Sequence, residues 1–521
     1  MADSVRRDDK PADFLLPETV KSWFSHMYTH LISGNVAEMA RLYDREFHNL
    51  TNNYFKQTSW PEPSAVESLV DEDPTFLLLY KQIYFRHLFS KLQPGMDMKV
   101  ASWETYCAIF DGVLDGSLEL DALPSQWVFD IVGEFVYQYQ TYCQYRAKVA
   151  TKGEEEVASY QENLLIWDTS KVLGYLHSLV RYSKIVKILK EEEGVKAPSD
   201  VVKELGYFSL ITLARAHVLF GDYYTSVKLL EPIDLFNKSA RGEAKTTAQI
   251  HEKSPGCHVS VFYHMGFAQL MLEDFSAAIR SFSTIILQVN RNRNYYSRFA
   301  DYDQLHKLTE KAMALLAIAQ FLCPGQRVND QIHSLIREKY GDKQSKLQKG
   351  DISALSELFG FSAPKFILPS VAVEGEAPVS KNLEASQRQQ KAFNDMVSRQ
   401  QHIPAVRSYV KLYRSIDLEK LAAFRGVDVE LARAELMSLK VHGSRLQTDV
   451  HFYLNNNLVL IDEETSNQRT GEFFINHIHR FARIVDECAS SQERIARMVK
   501  GRNGEKEGGA NGRGDGHDVA G

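Results

Sequence analysis

A short pattern of residues that occurs twice constrains this chain more than any other feature. Both copies have an apolar helical segment, an acidic turn, an aromatic residue and a second apolar helical segment. A distance of 52 residues separates every matched pair: Ala216 and Ala268, Phe220 and Leu272, Asp222 and Asp274, Tyr223 and Phe275, Val227 and Ile279, and Leu230 and Phe282. One helical hairpin cannot bury its own apolar face, so the repetition predicts hairpins that stack on one another.

These hairpins resemble tetratricopeptide-like (TPR-like) repeats, although the standard period of such repeats is about 34 residues. The polar segment 237–258 contains glycines and a proline and predicts an inserted loop that accounts for the longer spacing. A third pair of helices is predicted at 305–320 and 329–340. The repeats therefore predict a helical solenoid over residues 201–400, a type of structure that presents long surfaces to other proteins.

Residues 14–190 predict an N-terminal helical domain rich in aromatic side chains. Apolar positions keep three-to-four spacing, as in Trp127, Ile131, Phe135 and Tyr139. Because no β alternation accompanies this spacing, we expect stacked helices with an apolar core, rather than an aromatic cage for a ligand. The segment 191–200 marks the break before the repeats.

Residues 401–464 combine helical and strand patterns in one small module. Ser415 is predicted to cap a first helix, and Asp428 to cap a second. The apolar stripe of the second helix comprises Val429, Ala432, Leu436 and Leu439. Alternating apolar residues from Thr448 onward predict a hairpin that turns at 455–457. Two short helices followed by a hairpin are typical of a winged helix.

Residues 467–500 predict one long coiled-coil-like helix with an apolar seam. The seam positions recur at alternating steps of four and three, with one polar interruption at Gln492. They are Phe474, Ile478, Phe481, Val485, Cys488, Ile495 and Val499. At ~1.5 Å per residue the helix reaches ~50 Å, which is too long for the small module before it to cover. The seam therefore predicts a partner helix.

Composition indicates an ordinary globular protein of several domains. The 521 residues include 61 basic and 67 acidic side chains, and a net charge of −6 argues against a general affinity for phosphate backbones. The charged N-terminus lacks the apolar core of a signal peptide, and no apolar run reaches the ~20 residues that span a bilayer. We expect a soluble, cytoplasmic protein with no membrane contact and with disordered ends at 1–13 and 501–521.

The sequence contains no constellation typical of an enzyme or a metal site. It has no phosphate-binding loop, nucleophile elbow or zinc-helix motif, and its five cysteines are widely spaced. The nearest approach to a ligand cluster is Cys257 and His258 with His264, which lacks a fourth ligand at zinc-like spacing. The alternative interpretation is a loop cysteine beside ordinary helix histidines. We expect no catalysis, no cofactor and no metal, with the thiols reduced.

Two features bear on nucleic-acid binding. The second helix of the small module is more acidic than basic, so we expect no specific reading of DNA in the major groove. In contrast, Arg291, Arg293 and Arg298 are interleaved with two tyrosines, as in surfaces that contact RNA. The alternative interpretation of this segment is an interhelical turn with solvated arginines. Both interpretations remain open at the level of sequence.

Several short segments, in one order along the chain, resemble a known family. They are Leu-Pro-Ser-Gln-Trp at 123–127, Asp-Ile at 130–131, Gln-Tyr-Arg at 144–146, Leu-Phe-Gly-Asp-Tyr-Tyr at 219–224, Ala-Leu-Leu-Ala-Ile-Ala at 314–319, Arg-Glu-Lys-Tyr-Gly-Asp-Lys at 337–343 and Gly-Glu-Phe-Phe-Ile at 471–475. With the solenoid, the non-basic winged helix and the seam helix, they resemble the subunit L family of eukaryotic translation initiation factor 3, which belongs to the PCI-domain proteins. The resemblance covers about residues 20–481.

The resemblance implies a non-catalytic scaffold subunit that supports assembly of initiation factor 3 and its binding to the small ribosomal subunit, for recruitment of messenger RNA and initiator tRNA. It implies subunits K and E as neighbours, helices gathered in a bundle, and contacts between winged-helix sheets. The assembly edge of the wing strand would then comprise Val450, Phe452 and Leu454. One departure concerns residues 440–448, which are shorter than in the family, so the sheet is expected to lack a strand or to have an altered edge.

Two alternative functions follow from the same residues. One is a PCI scaffold subunit of another complex, the proteasome lid or the signalosome, because the PCI pattern alone does not distinguish these assemblies. The other is a subunit with a direct RNA-binding surface at the three arginines named above.

Overall fold

The computed structural model describes residues 16–190, 192, 194–233, 235–236, 247–299, 301–323, 326, 328–348, 352–369, 384–400, 402–443, 450–462, 474–475, 477–479, 481–482, 484–485 and 488. These residues are mainly helical, as predicted. The described residues up to His402 form one compact unit, called the first unit here, and those from Ile403 onward form the second unit. The ends predicted to be disordered, 1–13 and 501–521, lie outside the described residues.

The first half of the first unit consists of helices around an aromatic core. Within the described residues they are α1 (Glu18–Ile32), α2 (Val36–Arg41), α3 (Phe47–Tyr54), α4 (Pro74–Lys91), α5 (Met96–Asp115), α6 (Ser125–Arg146), α7 (Glu154–Glu162), α8 (Thr169–Tyr182) and α9 (Ile185–Leu189), with a π-helical turn at Leu42–Glu46 and 3₁₀ turns at Pro63–Ala65, Glu67–Leu69 and Val149–Thr151. Trp127, Ile131, Phe135 and Tyr139 of α6 are all buried, which confirms the predicted core face.

The second half of the first unit contains the repeated hairpins. Its described helices are α10 (Asp200–Phe220), α11 (Tyr223–Leu230), α12 (Pro255–Met271), α13 (Phe275–Arg291), α14 (Arg293–Tyr296), α15 (Tyr302–Leu322), α16 (Asp330–Gln348), α17 (Ile352–Ser362) and α18 (Glu384–Gln400), with a 3₁₀ turn at Thr247–Lys253. The helix–turn–helix order predicted for both copies is confirmed, since α10 packs on α11 and α12 packs on α13. The predicted third pair corresponds to α15 and α16.

The two turns of the repeat have the same local cause. The Asp222 side chain accepts a hydrogen bond from the Thr225 amide at 3.2 Å, and Asp274 accepts one from the Ala277 amide at 3.0 Å. Each aspartate therefore caps the helix that follows it. Gly221, with a φ of 87°, supplies the left-handed residue at the end of α10.

We expect Asp274→Ala to lower the free energy of unfolding of the first unit by about 1 kcal/mol, because it removes the cap of α13. Asp395→Ala in α18 is the matched control, since this aspartate is exposed within its helix, and its effect should stay within about 0.5 kcal/mol. Urea unfolding followed by circular dichroism measures both variants. Equal losses in the two would contradict the capping role.

The loop predicted at 237–258 is shorter than expected. Residues 237–246 lie outside the described residues, and α12 already begins at Pro255. The Ser254 hydroxyl accepts a hydrogen bond from the Cys257 amide at 3.3 Å and so caps this helix. Proline fits the first helical position because no hydrogen bond is required of its nitrogen there. The Ser-Pro pair is thus a helix start rather than a loop signal.

The second unit is a small helical module with a sheet. Its described elements are α19 (Ile403–Leu412), β1 (Ser415–Asp417), α20 (Leu418–Arg425), α21 (Val429–Gly443), β2 (His451–Asn455) and β3 (Leu458–Asp462). The antiparallel strands lie in the order β1-β3-β2. The predicted hairpin is confirmed, but only Asn456 and Asn457 form its turn, since Asn455 ends β2.

The prediction that Ser415 caps a helix is wrong. Ser415 begins β1, and Asp417 caps α20 by accepting a hydrogen bond from the Glu419 amide at 3.2 Å. The physical reason is that β1 has only three residues, with Ile416 buried between two exposed polar side chains. Pairing with β3 more than forty positions later holds the strand, and no local pattern reveals such a contact.

The structure does not describe residues 444–449, which include more than half of the short span 440–448 that was expected to remove a strand or alter an edge. Among the described residues the sheet has three strands. β2 and β3 form the hairpin, and β1, which precedes α20 in the chain, pairs with β3. β2 lies at one edge of this sheet.

Candidate interaction surfaces

The predicted seam of the C-terminal helix is exposed where the structure describes it. Residues 474–475, 477–479, 481–482, 484–485 and 488 are helical. The exposed fractions of Phe474, Ile478, Phe481 and Val485 are 58%, 64%, 64% and 63%, and Cys488 is also exposed. Ile495 and Val499 lie outside the described residues.

Two further apolar side chains, Ile475 and Ile484, widen this face. Both are exposed, and each adjoins a seam residue in the chain. The sequence prediction missed them because they do not fall on the alternating steps of four and three that define the seam. An isoleucine next to a seam position could have indicated a wider apolar stripe. We call the whole set the apolar seam: Phe474, Ile475, Ile478, Phe481, Ile484, Val485 and Cys488. Several exposed apolar side chains on one short helical stretch are typical of a protein-contact site.

The edge of β2 is defined by its hydrogen-bond register. Odd-numbered residues of β3 bond to the β1 side, as in the 2.9 Å bond that the Ile461 amide donates to the Arg414 carbonyl. Even-numbered residues of β3 therefore form their backbone hydrogen bonds with β2, at His451, Tyr453 and Asn455. The backbone groups of Phe452 and Leu454 consequently point away from β3.

Lys440 occupies part of this edge. Its ammonium group donates a hydrogen bond to the Phe452 carbonyl at 3.3 Å and lies 5.6 Å from the centre of the Phe452 ring. Phe452 is buried, and Val450 and Leu454 are half-buried, so none of the predicted edge residues has a fully exposed side chain. A lysine at a strand edge discourages pairing, and a strand added here would displace Lys440 at Phe452.

The exposed face of α21 is not basic. Among the side chains that the structure describes, its exposed ones are Glu430, Leu431, Ala434, Met437 and Lys440. Arg433 is half-buried and donates a hydrogen bond to the Asn457 side chain at 3.1 Å, while buried Glu435 pairs with Arg425 at 3.0 Å. Since Arg433 and Lys440 are both engaged within the unit, we expect no specific DNA binding by this helix. The predicted apolar stripe of α21 is buried at Ala432, Leu436 and Leu439.

The three arginines predicted to contact RNA lie at one corner of the first unit. Arg291 ends α13, Arg293 begins α14, and Arg298 follows α14 by two residues. All three are exposed, and the exposed fraction of Tyr295 is 46%, whereas Tyr296 is buried. An interhelical turn with exposed arginines is compatible with both interpretations of the sequence.

An ion network that is buried at Asp130 and partly exposed at Asp301 fixes the chain just after this corner. The Arg86 guanidinium pairs with Asp130 at 2.9 Å and with Asp301 at 3.2 Å. The Tyr43 hydroxyl donates a hydrogen bond to Asp130 at 2.8 Å, and the guanidinium carbon lies 5.2 Å from the centre of the Tyr43 ring. Because Asp301 immediately precedes α15, the network joins α4 and α6 to the start of that helix.

Glu134 of α6 interacts electrostatically with the same network. Its Oε2 atom is enclosed without a hydrogen-bond partner. Burial raises the pKa of its carboxyl from 4.5 to about 7, against the opposing attraction of Arg86. The folded chain therefore holds a proton on Glu134 that the unfolded chain releases at lower pH, so this group stabilises the fold in acid and loses that contribution as the pH rises towards 7.

We expect Glu134→Gln to be more stable than the parent protein by a margin that grows from pH 5 to 7 and then levels off. A difference of one in pKa between the folded and the unfolded chain corresponds to about 1.4 kcal/mol in the free energy of unfolding. Urea unfolding at several pH values measures the margin, with Glu162→Gln, an exposed glutamate of α7, as the control. A margin that does not change with pH would contradict the assignment.

The residues of the nearest metal-like cluster are core residues. Cys257, His258 and His264 lie inside α12 and are buried, so the interpretation of Cys257 as a loop residue is wrong. Burial lowers the pKa of His258 to about 4 and that of His264 to about 3. Within the described residues no group of three or more histidines, cysteines or carboxylates is arranged to hold a metal ion, and no helix is both long and apolar enough to cross a membrane.

Comparison with known proteins gives the family. The family model described as RNA polymerase I-associated factor PAF67 matches residues 98–481. Proteins named eukaryotic translation initiation factor 3 subunit L are similar over nearly the whole chain. The Danio rerio protein is 36% identical over 519 residues, covering 90% of this chain and 88% of its own. The Homo sapiens protein is 35% identical, covering 90% of each chain, and the Nematostella vectensis protein is 34% identical, covering 91% and 93%. The chain therefore belongs to the family of eukaryotic translation initiation factor 3 subunit L.

Proposed function

We propose that this chain is a non-catalytic scaffold subunit of initiation factor 3 in the cytoplasm. It supports assembly of the factor and the binding of the factor to the small ribosomal subunit, where messenger RNA and initiator tRNA are recruited. The observation that carries the proposal is the apolar seam. A helix with several apolar side chains more than half exposed is suited to burial against other helices, and the named relatives are subunits of a multisubunit factor.

We further propose a PCI architecture for the chain. The hairpins of the first unit supply a TPR-like helical part at 201–400 after an N-terminal helical domain at 14–190. The second unit supplies a winged helix at 401–464, and the seam helix follows at 467–500. The order of α19, β1, α20, α21, β2 and β3, with β3 between β1 and β2, supports the winged-helix assignment.

Subunits K and E are the proposed neighbours. The seam is the stronger of the two candidate contacts, because its side chains are exposed and apolar. The β2 edge at Val450, Phe452 and Leu454 is the weaker one, because Lys440 engages the Phe452 carbonyl.

A second candidate function is direct RNA contact at Arg291, Arg293 and Arg298. It is favoured because none of these exposed side chains pairs with a carboxylate among the described residues. A PCI subunit of the proteasome lid or the signalosome has less support, since the similar proteins carry the name of initiation factor 3.

Affinity purification of the tagged full-length chain from its own cells, followed by mass spectrometry, tests the scaffold proposal. We expect the initiation-factor subunits in stoichiometric amounts, with K and E retained longest as the salt concentration is raised. Recovery of lid or signalosome subunits instead, or of the chain alone, would overturn the proposal.

A further inference from the structure

We propose that Tyr295 and the three arginines around it bind single-stranded RNA, with Tyr295 as the platform on which an unpaired base stacks. We call Arg291, Arg293, Tyr295 and Arg298 the arginine corner. This inference rests on the second candidate function above. It specifies single-stranded RNA and adds Tyr295, which would contact a base, whereas the arginines would contact phosphates.

The charge around the corner is locally positive. Residues 275–299 contain four arginines and no carboxylate, in a chain whose net charge is −6. Among the described residues, none of the three corner arginines pairs with a carboxylate. The next acidic residue along the chain, Asp301, is already engaged by Arg86 at 3.2 Å. The guanidinium groups are therefore available to phosphates. Two exposed carboxylates oppose them: Asp303, five residues after Arg298 in the first turn of α15, and Glu252, which interacts electrostatically with Tyr296.

The Tyr295 ring is held in place although it is exposed. It makes edge-type contacts with Tyr296, at 5.5 Å between ring centroids and 81° between planes, and with Phe299, at 5.2 Å and 71°. Tyr296 is buried and so anchors α14 to the unit. A ring oriented in advance loses little freedom when a base stacks on it, which makes it a suitable platform.

The same geometry favours a single strand over a duplex. Bases in a duplex are stacked on one another and offer no free face to an exposed ring, whereas bases of a single strand do. The corner is also small, since Arg291 and Arg298 are only seven positions apart in the chain, across the end of α13 and the four-residue α14. It therefore suits a few nucleotides of flexible strand and lacks the length for a duplex groove.

Fluorescence anisotropy of the purified full-length protein with a labelled 15-nucleotide oligouridylate tests the inference. For three phosphate contacts, log K should fall with log of the KCl concentration with a slope of about −2. Replacing all three arginines by glutamine should weaken binding at least about tenfold and bring this slope towards zero. Tyr295→Ala should weaken binding about tenfold without changing the slope, and Tyr295→Phe should retain it.

Lys391→Gln with Arg399→Gln is the control for charge, because both residues are exposed on α18 of the same unit; binding should be unchanged. A 15-base-pair RNA duplex and a DNA duplex should bind at least tenfold more weakly than the single strand. No saturable binding, equal loss in the α18 control, or a Tyr295→Ala variant that binds as the parent does would each overturn the inference. Since subunit recovery in the purification experiment does not depend on the corner, such a result would leave the scaffold proposal standing.

Discussion

Replacing Arg86 by methionine is expected to lower the free energy of unfolding of the first unit by about 3–5 kcal/mol. The change keeps a long apolar stem but removes the cation between Asp130 and Asp301. Asp130 is buried, so its carboxylate would remain in the interior without a charged partner. Breaking a buried pair from one side is costly for this reason, whereas losing an exposed pair is not.

The effect should depend on pH in a defined way. Burial already raises the pKa of Asp130 to about 6, against the opposing attraction of Arg86. Without Arg86 the buried Asp130 carboxyl can avoid the cost of an unpaired charge by taking up a proton. The decrease in the free energy of unfolding caused by Arg86→Met should therefore be smaller at pH 5 than at pH 8. Adding Asp130→Asn to Arg86→Met should recover part of the loss, because both charges are then absent.

Urea unfolding at both pH values measures these variants. Arg41→Met is the matched control, since Arg41 forms ion pairs with Glu38 and Glu46 at half-exposed positions, and its loss should stay below about 1 kcal/mol. If Arg86→Met destabilised the protein no more than Arg41→Met, the network would not be the element that anchors α15.

The elements that could be predicted from sequence have local causes. Asp222 and Asp274 each stand directly before the helix they cap and bind an amide only three residues later. The hairpin turns can therefore be recognised from neighbouring residues in the sequence. The apolar stripe of α6 follows the helical period and is buried, and so is that of α21 except for Val429 at its start, which is half-buried. For these elements, spacing alone determines which side of a helix is covered.

The features that were missed depend on contacts distant in the chain. β1 is a strand only because β3 pairs with it, and Arg86 meets Asp301 at a separation of 215 residues. Lys440 reaches the β2 edge through a hydrogen bond to a backbone carbonyl, which no periodicity encodes. The apolar seam also includes Ile475 and Ile484, which are exposed but do not occupy heptad positions. Its apolar face is therefore wider than the narrow stripe of a two-helix coiled coil.

These differences change how the second unit is expected to assemble. A sheet edge is attractive to a neighbour when its backbone groups are unengaged, and here one outward carbonyl already accepts a bond from a lysine. The described seam side chains are instead apolar and mostly more than half exposed. We therefore expect the seam to dominate the free energy of association and the β2 edge to adjust orientation.

Phe481→Asp with Val485→Asp is expected to release the protein from its complex while leaving the chain folded. Both side chains are more than 60% exposed, so their replacement removes little buried area from the chain itself. In a helix bundle the same two positions would place carboxylates in an apolar contact, at a cost of several kcal/mol. Association should weaken by at least about 100-fold, since every 1.4 kcal/mol is a factor of ten.

Co-purification of initiation-factor subunits with the tagged variant measures the release, and the thermal unfolding midpoint of the purified chain measures its fold. Leu165→Asp with Tyr224→Asp is the matched control, because it adds two carboxylates at exposed apolar positions of the first unit. Full recovery of the subunits by the seam variant would show that its apolar face is not the contact. Equal loss in both variants would show that added charge, rather than the seam, is responsible. Only loss confined to the seam variant, with an unchanged midpoint, assigns the association to this helix.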